Sequence, residues 1–157
     1  MASTQKSSVV DGAKINRAEV IDKQFIKTVN ALKVPKKKTC TDPSQPVNDS
    51  TILSGKDFLQ LFESQMASRQ LDLMARALRL ENKVFYTIGS SGHEGNAVLG
   101  RLSRYTDPAF LHYRSGAFMA ERSRKIDGID FIYDAALSFA ASKQDPASGG
   151  RHKVWAS

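Results

Sequence analysis

The stretch Ser68–Gly100, SRQLDLMARALRLENKVFYTIGSSGHEGNAVLG, passes through four patterns in succession. It begins inside an amphipathic helix and passes, after Asn82-Lys83, into the short run 84–88 of β-branched and aromatic residues. It then enters the small-residue turn Gly89–Gly95, where glycines permit positive φ angles, and becomes helical again near Glu94. The stretch therefore predicts a helix, a short strand or extended segment, and a tight turn into a second helix.

The helix that leads into this stretch is predicted to begin at Ser54. The residues Ser54-Gly-Lys-Asp57 form a variant of the capping box, in which the Ser hydroxyl accepts from a first-turn amide and the acid reaches back to the cap. Apolar residues then keep to one face through about six turns, with Arg69 interrupting them and Leu61 and Met74 widening the stripe. The predicted apolar face consists of Phe58, Phe62, Met66, Leu73, Ala77 and Leu80, and the other face carries Glu63, Gln70, Arg76 and Arg79.

The regions before this helix differ in composition. Residues 1–16 are rich in Ser and Lys, which predicts a disordered tail. Residues 17–50 combine a short amphipathic helix, from Arg17 to Leu32, with the Pro- and Lys-rich linker VPKKKTCTDPSQPVNDS. We therefore expect the folded region to occupy residues 51–157.

Helical and extended patterns alternate in the rest of the chain. Asp107-Pro108 forces a turn before a second brief extended piece, Ala109–Tyr113, and helices follow at about 116–125 and from Asp127-Gly128 to Ala140. The fold class expected is α/β and mainly helical. Because two short extended segments cannot make a stable sheet alone, and the final loop from Asp145 leads to no further element, we expect the chain to be a fragment of a longer protein.

Composition limits the classes of function. The chain has 157 residues and a net charge of +7, and no apolar window approaches the roughly 20 residues of a membrane span. Since the N-terminus also lacks the apolar core of a signal peptide, we expect a cytoplasmic protein. Cys40 is the single cysteine, which excludes an internal disulfide. Lys36–Lys38 is the only dense basic run, and a solvated linker is a better interpretation of it than a nucleic-acid surface.

The turn that contains Gly92, His93 and Glu94 has two interpretations. Its glycines and the amides of the following helix could hold an anion, and His93 with Glu94 could transfer a proton or bind a ligand carbonyl. Alternatively, Ser91 caps the helix, Glu94 satisfies first-turn amides and His93 is merely exposed. The spacing alone favours the second interpretation.

A second turn of the same kind contains His112, Tyr113 and Arg114. The planar fork of Arg and the hydroxyl of Tyr suit a diphosphate, although Tyr113 could instead be a core residue and Arg114 a surface ion pair. Ligands in α/β proteins collect where strands end and helices begin, so two such turns in succession are more informative than one. The later loop Ser148–Lys153 is basic and could close over an anion.

Common catalytic motifs are absent from the sequence. It contains no GxxxxGK[ST], GxGxxG, HExxH or GxSxG pattern, so neither a nucleotide fingerprint, a zinc site nor a serine hydrolase elbow is predicted. No metal ligands are predicted within the chain.

Taken in order, the opening stretch, DPAFLHYRSGAFMAER and DPASGGRHKVWAS resemble the N-terminal part of the α-type E1 component of 2-oxoacid dehydrogenases. The likeness is strongest to the branched-chain, 2-oxoisovalerate type. In that family a G-[QEH]-E turn follows a short extended segment, a Tyr-Arg pair follows the next one, and a Gly-Arg loop comes later. The resemblance covers about residues 54–157.

The resemblance implies a thiamine diphosphate-binding fold and an oxidoreductase that decarboxylates a branched-chain 2-oxo acid. The acyl group would pass to a lipoyl-bearing E2 component, and the chain would assemble into an oligomer with a β-type E1 region or subunit. By the family pattern Tyr113 and Arg114 would contact the cofactor diphosphate, and His112 would occupy a neighbouring cofactor-side position. The Gly92-His93-Glu94 turn would lie near the site entrance or support its wall.

Two departures from the family pattern are evident. The G-D-G…N-N motif that binds Mg²⁺ and thiamine is absent and is expected beyond Ser157, so this segment alone should be inactive and its catalytic residues are unassigned. Ser115 stands where the family usually has an acid. The alternatives are another thiamine-fold enzyme, such as a transketolase relative, or a small non-catalytic helical binding module whose basic arm docks on an acidic partner or nucleic acid.

Overall fold

A computed structural model describes residues 16–33, 42–84 and 89–151, which fall into two units divided between Lys33 and Val34. In the first unit helix α1, Arg17–Ala31, confirms the predicted amphipathic helix, and its apolar side chains Val20, Ile21 and Ile26 are exposed. Most of the predicted tail, the Lys36–Lys38 run, Cys40, residues 85–88 of the predicted strand, and residues 152–157 lie outside the described residues.

The second unit is built from helices. They are α2, Gly55–Leu80; a 3₁₀ turn, Glu94–Asn96; α3, Ala97–Leu102; α4, Gly116–Ser123; and α5, Phe131–Phe139. Helices α3 and α4 pack against each other and against α2, while α5 contacts α2 and α4. The mainly helical prediction is therefore confirmed.

Strand pairing is almost absent from the part of the chain that the structure describes. An isolated antiparallel bridge joins Pro46 to Ser54, and the predicted extended piece 109–113 pairs with no described segment. The α/β class therefore stays a prediction.

The capping box at the start of α2 is confirmed. Ser54 Oγ accepts from the Asp57 amide at 3.2 Å, and Asp57 Oδ2 accepts from the Ser54 amide at 2.9 Å. The helix ends at Leu80, and Asn82 then takes a positive φ of 58°. The predicted start of the long helix is therefore correct, and the helix ends at Leu80, the last residue of the predicted apolar stripe.

The face that α2 buries differs from the predicted apolar stripe. Phe58, Phe62 and Leu80 are exposed by 46%, 53% and 87%, so an amphipathic helix here does not bury its apolar face. The buried residues of α2 are Leu61, Ser64, Ser68, Arg69, Leu71, Asp72 and Ala75. Small side chains on this face let other elements approach closely, and its charged side chains pair with residues of those elements. The prediction that the apolar stripe is the buried face was therefore wrong.

Buried apolar residues form two small clusters. One contains Leu71, Ala75, Val84, Ala135 and Phe139, and the other contains Leu61, Ala97 and Ala117. Buried polar and charged side chains are as prominent as apolar ones in this unit. Because a buried polar group is costly unless it is paired, these groups must fix how the helices pack.

The carboxylate of Glu121 on α4 is fully buried and joins three helices. Its Oε2 accepts from Ser64 Oγ of α2 at 2.7 Å, and its Oε1 accepts from Arg101 Nη1 of α3 at 3.2 Å. Arg101 also pairs with Asp57 of the capping box, and Arg124 Nε lies 3.8 Å from Glu121 Oε2. The charge of Glu121 is thus compensated from α2, α3 and α4 together.

Helix α3 lies against α4 at close range. A Cβ at Gly100 would come within 2.5 Å of the Phe118 carbonyl oxygen, so only glycine permits this approach. Lys125 Nζ donates to the carbonyls of Gly100 and Arg101 at 2.9 and 2.8 Å and also to that of Ser103, which satisfies the C-terminal end of α3. Burial, together with the nearby Arg101 guanidinium, lowers the pKa of the Lys125 amine.

Removal of the Glu121 carboxylate should strongly destabilise the second unit. Glu121→Ala removes the carboxylate that Arg101 pairs with across α3 and α4, as well as the acceptor of the Ser64 hydroxyl, while Arg101 keeps its pairing with Asp57. We expect the free energy of unfolding to fall by about 2–3 kcal/mol in urea denaturation. The matched control is Glu63→Ala on α2, because Glu63 is exposed and pairs with Arg124 at the surface; it should change stability by less than about 0.5 kcal/mol. Equal effects of the two variants would contradict this role of Glu121.

The close approach of α3 to α4 at Gly100 predicts that an added methyl group is costly there and harmless at Gly95. Gly100→Ala should lower the free energy of unfolding by about 1–3 kcal/mol, because α3 must move away from α4. Gly95→Ala places its methyl group in open space and should be neutral. Thermal unfolding of both variants tests this, and a Gly100→Ala variant as stable as Gly95→Ala would refute it.

Candidate functional site

The buried face of α2 holds the turn at residues 89–94 through Asp72. The Oδ2 atom of Asp72 accepts from Arg76 Nη2 at 2.8 Å, from Arg69 Nη1 at 3.3 Å and from the Ser90 amide at 3.4 Å. Asp72 is only 1% exposed, so its charge depends on these donors. The first residues of the turn are therefore held against α2 by one carboxylate.

Arg69 holds the middle of the same turn. This buried guanidinium donates to Ser91 Oγ, and its Nη1 lies 3.8 Å from Glu94 Oε1. The other oxygen of Glu94, Oε2, accepts from the Gly92 amide at 2.8 Å. Ser91 is thus an acceptor for Arg69, and the predicted capping role of Ser91 is wrong: the 3₁₀ turn at Glu94 has no side-chain cap.

The predicted tight turn itself is confirmed. The His93 amide donates to the Ser90 carbonyl at 2.9 Å, and Gly92 takes a φ of 85°, which favours glycine. The chain becomes helical at Glu94, first as one 3₁₀ turn and then as α3.

The structure brings the two predicted turns together. Arg114 Nε donates to the Gly89 carbonyl at 3.1 Å, and the rings of His93 and His112 meet edge to face with centroids 5.6 Å apart. Residues that the sequence places in two separate strand-to-helix turns thus form one surface beside α2.

His112 has a defined hydrogen-bonding role in the second turn. Its Nδ1 accepts from the Arg114 amide at 3.0 Å, and its own amide donates to Ser115 Oγ at 3.3 Å. Since an accepting ring nitrogen carries no proton, the neutral ring holds its proton on Nε2. His112 is exposed, so this Nε2–H group is a donor available at the surface.

Tyr113 and Arg114 stand beside His112. The Tyr113 ring lies 5.4 Å from that of His112, and Arg114 Cζ is 5.2 Å from the Tyr113 centroid. Tyr113 is 42% exposed, so the interpretation of it as a core residue is wrong. Arg114 is half-buried and bonds a backbone carbonyl rather than an acid. Both side chains therefore lie where a ligand could reach them.

Positive charge exceeds negative charge around the joined turns. Arg69, Arg76 and Arg114 face two acids, Asp72 and Glu94, and these acids interact with Arg69 and Arg76. In the described ranges no cluster of three or more His, Cys, Asp or Glu side chains could hold a metal ion. The surface is thus suited to an anion.

Arg69 and Arg76, which support this surface, are not among the site residues that the sequence predicts. In the predicted pattern Arg69 interrupts the apolar stripe of α2, and Arg76 belongs to the other face of the helix. Arg69, Asp72 and Arg76 stand at positions i, i+3 and i+7, which lie on one helical face, so this spacing was a usable signal.

The third predicted element, the loop Ser148–Lys153, is described up to Arg151 and no described contact joins it to either turn. Asp145 holds its start: the buried carboxylate accepts from the Ala147 amide at 2.9 Å and from the Ser148 hydroxyl. Burial opposes ionisation here, but the hydrogen bonds from Ser148 and Ala147 outweigh it and lower the pKa of Asp145. Arg151 Nε donates to the Ser148 carbonyl at 3.0 Å, within the loop itself.

Comparison with known proteins gives no relative for this arrangement. No protein-family model, no curated protein and no solved structure matches the chain. No helix in the described parts of the chain combines the length and the apolar character needed to cross a membrane.

Neutralising Asp72 should loosen the first turn. Asp72→Asn keeps the size of the side chain but removes the charge that balances Arg69 and Arg76, and we expect a loss of about 2–3 kcal/mol in the free energy of unfolding. Hydrogen exchange of the Ser90 amide should accelerate, since its acceptor weakens. Glu81→Gln, at an exposed surface pair with Lys83, is the control and should change neither quantity. An unaltered Ser90 exchange rate in Asp72→Asn would show that Asp72 does not hold the turn.

Proposed function

We propose that this chain is the N-terminal, α-type part of a cytoplasmic 2-oxoacid dehydrogenase E1 component of the branched-chain, 2-oxoisovalerate type. The observation that best supports the proposal is the contact between the two turns, in which Arg114 bonds Gly89 and His93 packs on His112. Residues from two of the three stretches that carry the sequence resemblance thus belong to one surface. The thiamine diphosphate-binding fold is part of the same proposal.

The chemistry of the donors fits an anionic diphosphate. Arg69 and Arg76 balance Asp72 and Glu94, so the charge of Arg114 is left uncompensated by an acid. The described hydrogen bond of the Arg114 side chain uses Nε, which fixes the plane of the guanidinium and leaves its terminal amino groups without a partner among the described residues. A planar fork held in this way suits bidentate binding of phosphate oxygens.

The proposal gives each residue of the surface a role. Arg114 and Tyr113 would hold the diphosphate, and the Nε2–H of His112 would donate beside them. Gly92, His93 and Glu94 would form the wall at the site entrance, which Arg69 holds in place through Ser91. When bound, thiamine diphosphate supplies the carbon nucleophile for attack on a 2-oxo acid.

Further parts of the enzyme are required by this proposal. The ligands of Mg²⁺ would come from outside the described residues, and a β-type E1 region or subunit would complete an oligomeric active enzyme. A lipoyl-bearing E2 component would accept the acyl group. The alternative of a binding module depends on Lys36–Lys38, which lie outside the described residues.

The role of Arg114 can be measured directly. In the complete enzyme, Arg114→Ala should weaken thiamine diphosphate binding more than tenfold, a loss of about 1.4 kcal/mol or more, in calorimetric titrations at fixed Mg²⁺. Arg104→Ala is the matched control, because Arg104 is exposed and pairs with Asp107 away from the two turns. Unchanged affinity of the Arg114 variant would remove it from the cofactor site.

A further inference from the structure

A cleft elsewhere in the helical unit contains none of the residues of the two turns. It is a cleft of about 670 Å³ between the segment 105–111, α4, the start of α5 and the loop at 146–147. Its lining is largely apolar and includes Leu111, Met119, Ile126, Phe131 and Pro146. The volume falls within the range of about 300–1,000 Å³ that small-molecule sites occupy.

The walls of this cleft are held by hydrogen bonds of their own. Arg122 donates to the carbonyls of Tyr105 and Asp107, the latter at 2.8 Å, and its guanidinium lies 5.3 Å from the centroid of the Phe118 ring. On the opposite side the Asp145 carboxylate accepts from the Ala147 amide at 2.9 Å. The cleft is therefore preformed, which lowers the entropic cost of binding.

The two carboxylates of the cleft differ in whether they are paired. The charged residues lining the cleft are Asp107, Asp134 and Arg122, two carboxylates against one guanidinium. The Asp107 carboxylate accepts hydrogen bonds from the backbone amide and from Nε of Arg104, at 2.8 and 2.9 Å. The hydrogen bond from the backbone amide is the main cause that lowers the pKa of Asp107. In the described ranges the carboxylate of Asp134 has neither a hydrogen bond nor an ion pair. One carboxylate beside apolar walls thus lacks a cation.

We propose that this cleft binds a small ligand with an apolar body and a protonated amine, and that the amine pairs with Asp134. The apolar body would lie against Met119, Ile126 and Phe131, where its burial drives binding. This site is independent of the proposed thiamine function, because it shares no residue with the joined turns.

Two probes of matched shape and opposite charge test the proposal on the full chain. Titration of 4-phenylbutylamine and of 4-phenylbutanoate at neutral pH, followed by NMR, should show saturable binding of the amine and binding of the carboxylate at least about tenfold weaker. Resonances of Met119 and Phe131 should shift with the amine. No saturable binding, or equal affinity for both probes, would overturn the proposal.

Variants locate the site and test the role of the acid. Asp134→Asn should weaken amine binding about fivefold and remove the preference over the carboxylate, whereas Asp127→Asn, outside the cleft, should preserve both. Ala147→Trp should fill the cleft and abolish binding, whereas Ala136→Trp, on the exposed side of α5, should not. Amine binding that persists in Ala147→Trp, or a preference that survives Asp134→Asn, would exclude this cleft as the site.

Discussion

Burial of the Glu121 carboxylate is the constraint that the helical unit must satisfy first. An unpaired charge in a protein interior costs several kcal/mol, so α4 can occupy its position only if Ser64 and Arg101 reach it from α2 and α3. The same approach requires glycine at position 100, where α3 meets α4. With two small apolar clusters in place of one large core, pairing of polar groups decides how these helices pack.

Asp72, in the C-terminal half of α2, is a second buried carboxylate that needs hydrogen-bond donors. Its carboxylate holds the Ser90 amide, the neighbouring Gly89 carbonyl accepts from Arg114, and the second turn is thereby placed against the first. The hydrogen bond from Ser90 to Asp72 positions Gly89, and the hydrogen bond from Arg114 to Gly89 then positions the second turn. The geometry of the candidate anion site therefore depends on residues of α2 that would not touch the ligand.

The pairing of polar groups also explains why apolar side chains of α2 are exposed. Since the polar side faces the unit, Phe58, Leu59 and Phe62 remain exposed as a contiguous stripe. Exposed apolar patches on soluble proteins mark contact surfaces. A stripe of this kind fits the proposed assembly with a β-type E1 region, since association would remove it from water.

The sequence by itself determined several local elements, namely the capping box at Ser54, the start of α2, the turn at Gly92 and the presence of α4 and α5, because caps, glycines and helical periodicity act over a few residues. The predicted start of α5 was wrong: the helix begins at Phe131, after the cap Asp130, and not at Asp127-Gly128. The sequence also identified both turns that carry His93 and Arg114. Only the tertiary structure decided which face of α2 is buried and that the two turns meet. Those outcomes depend on pairing between residues far apart in the chain, such as Ser64 with Glu121, and hydrophobic periodicity carries no information about such partners.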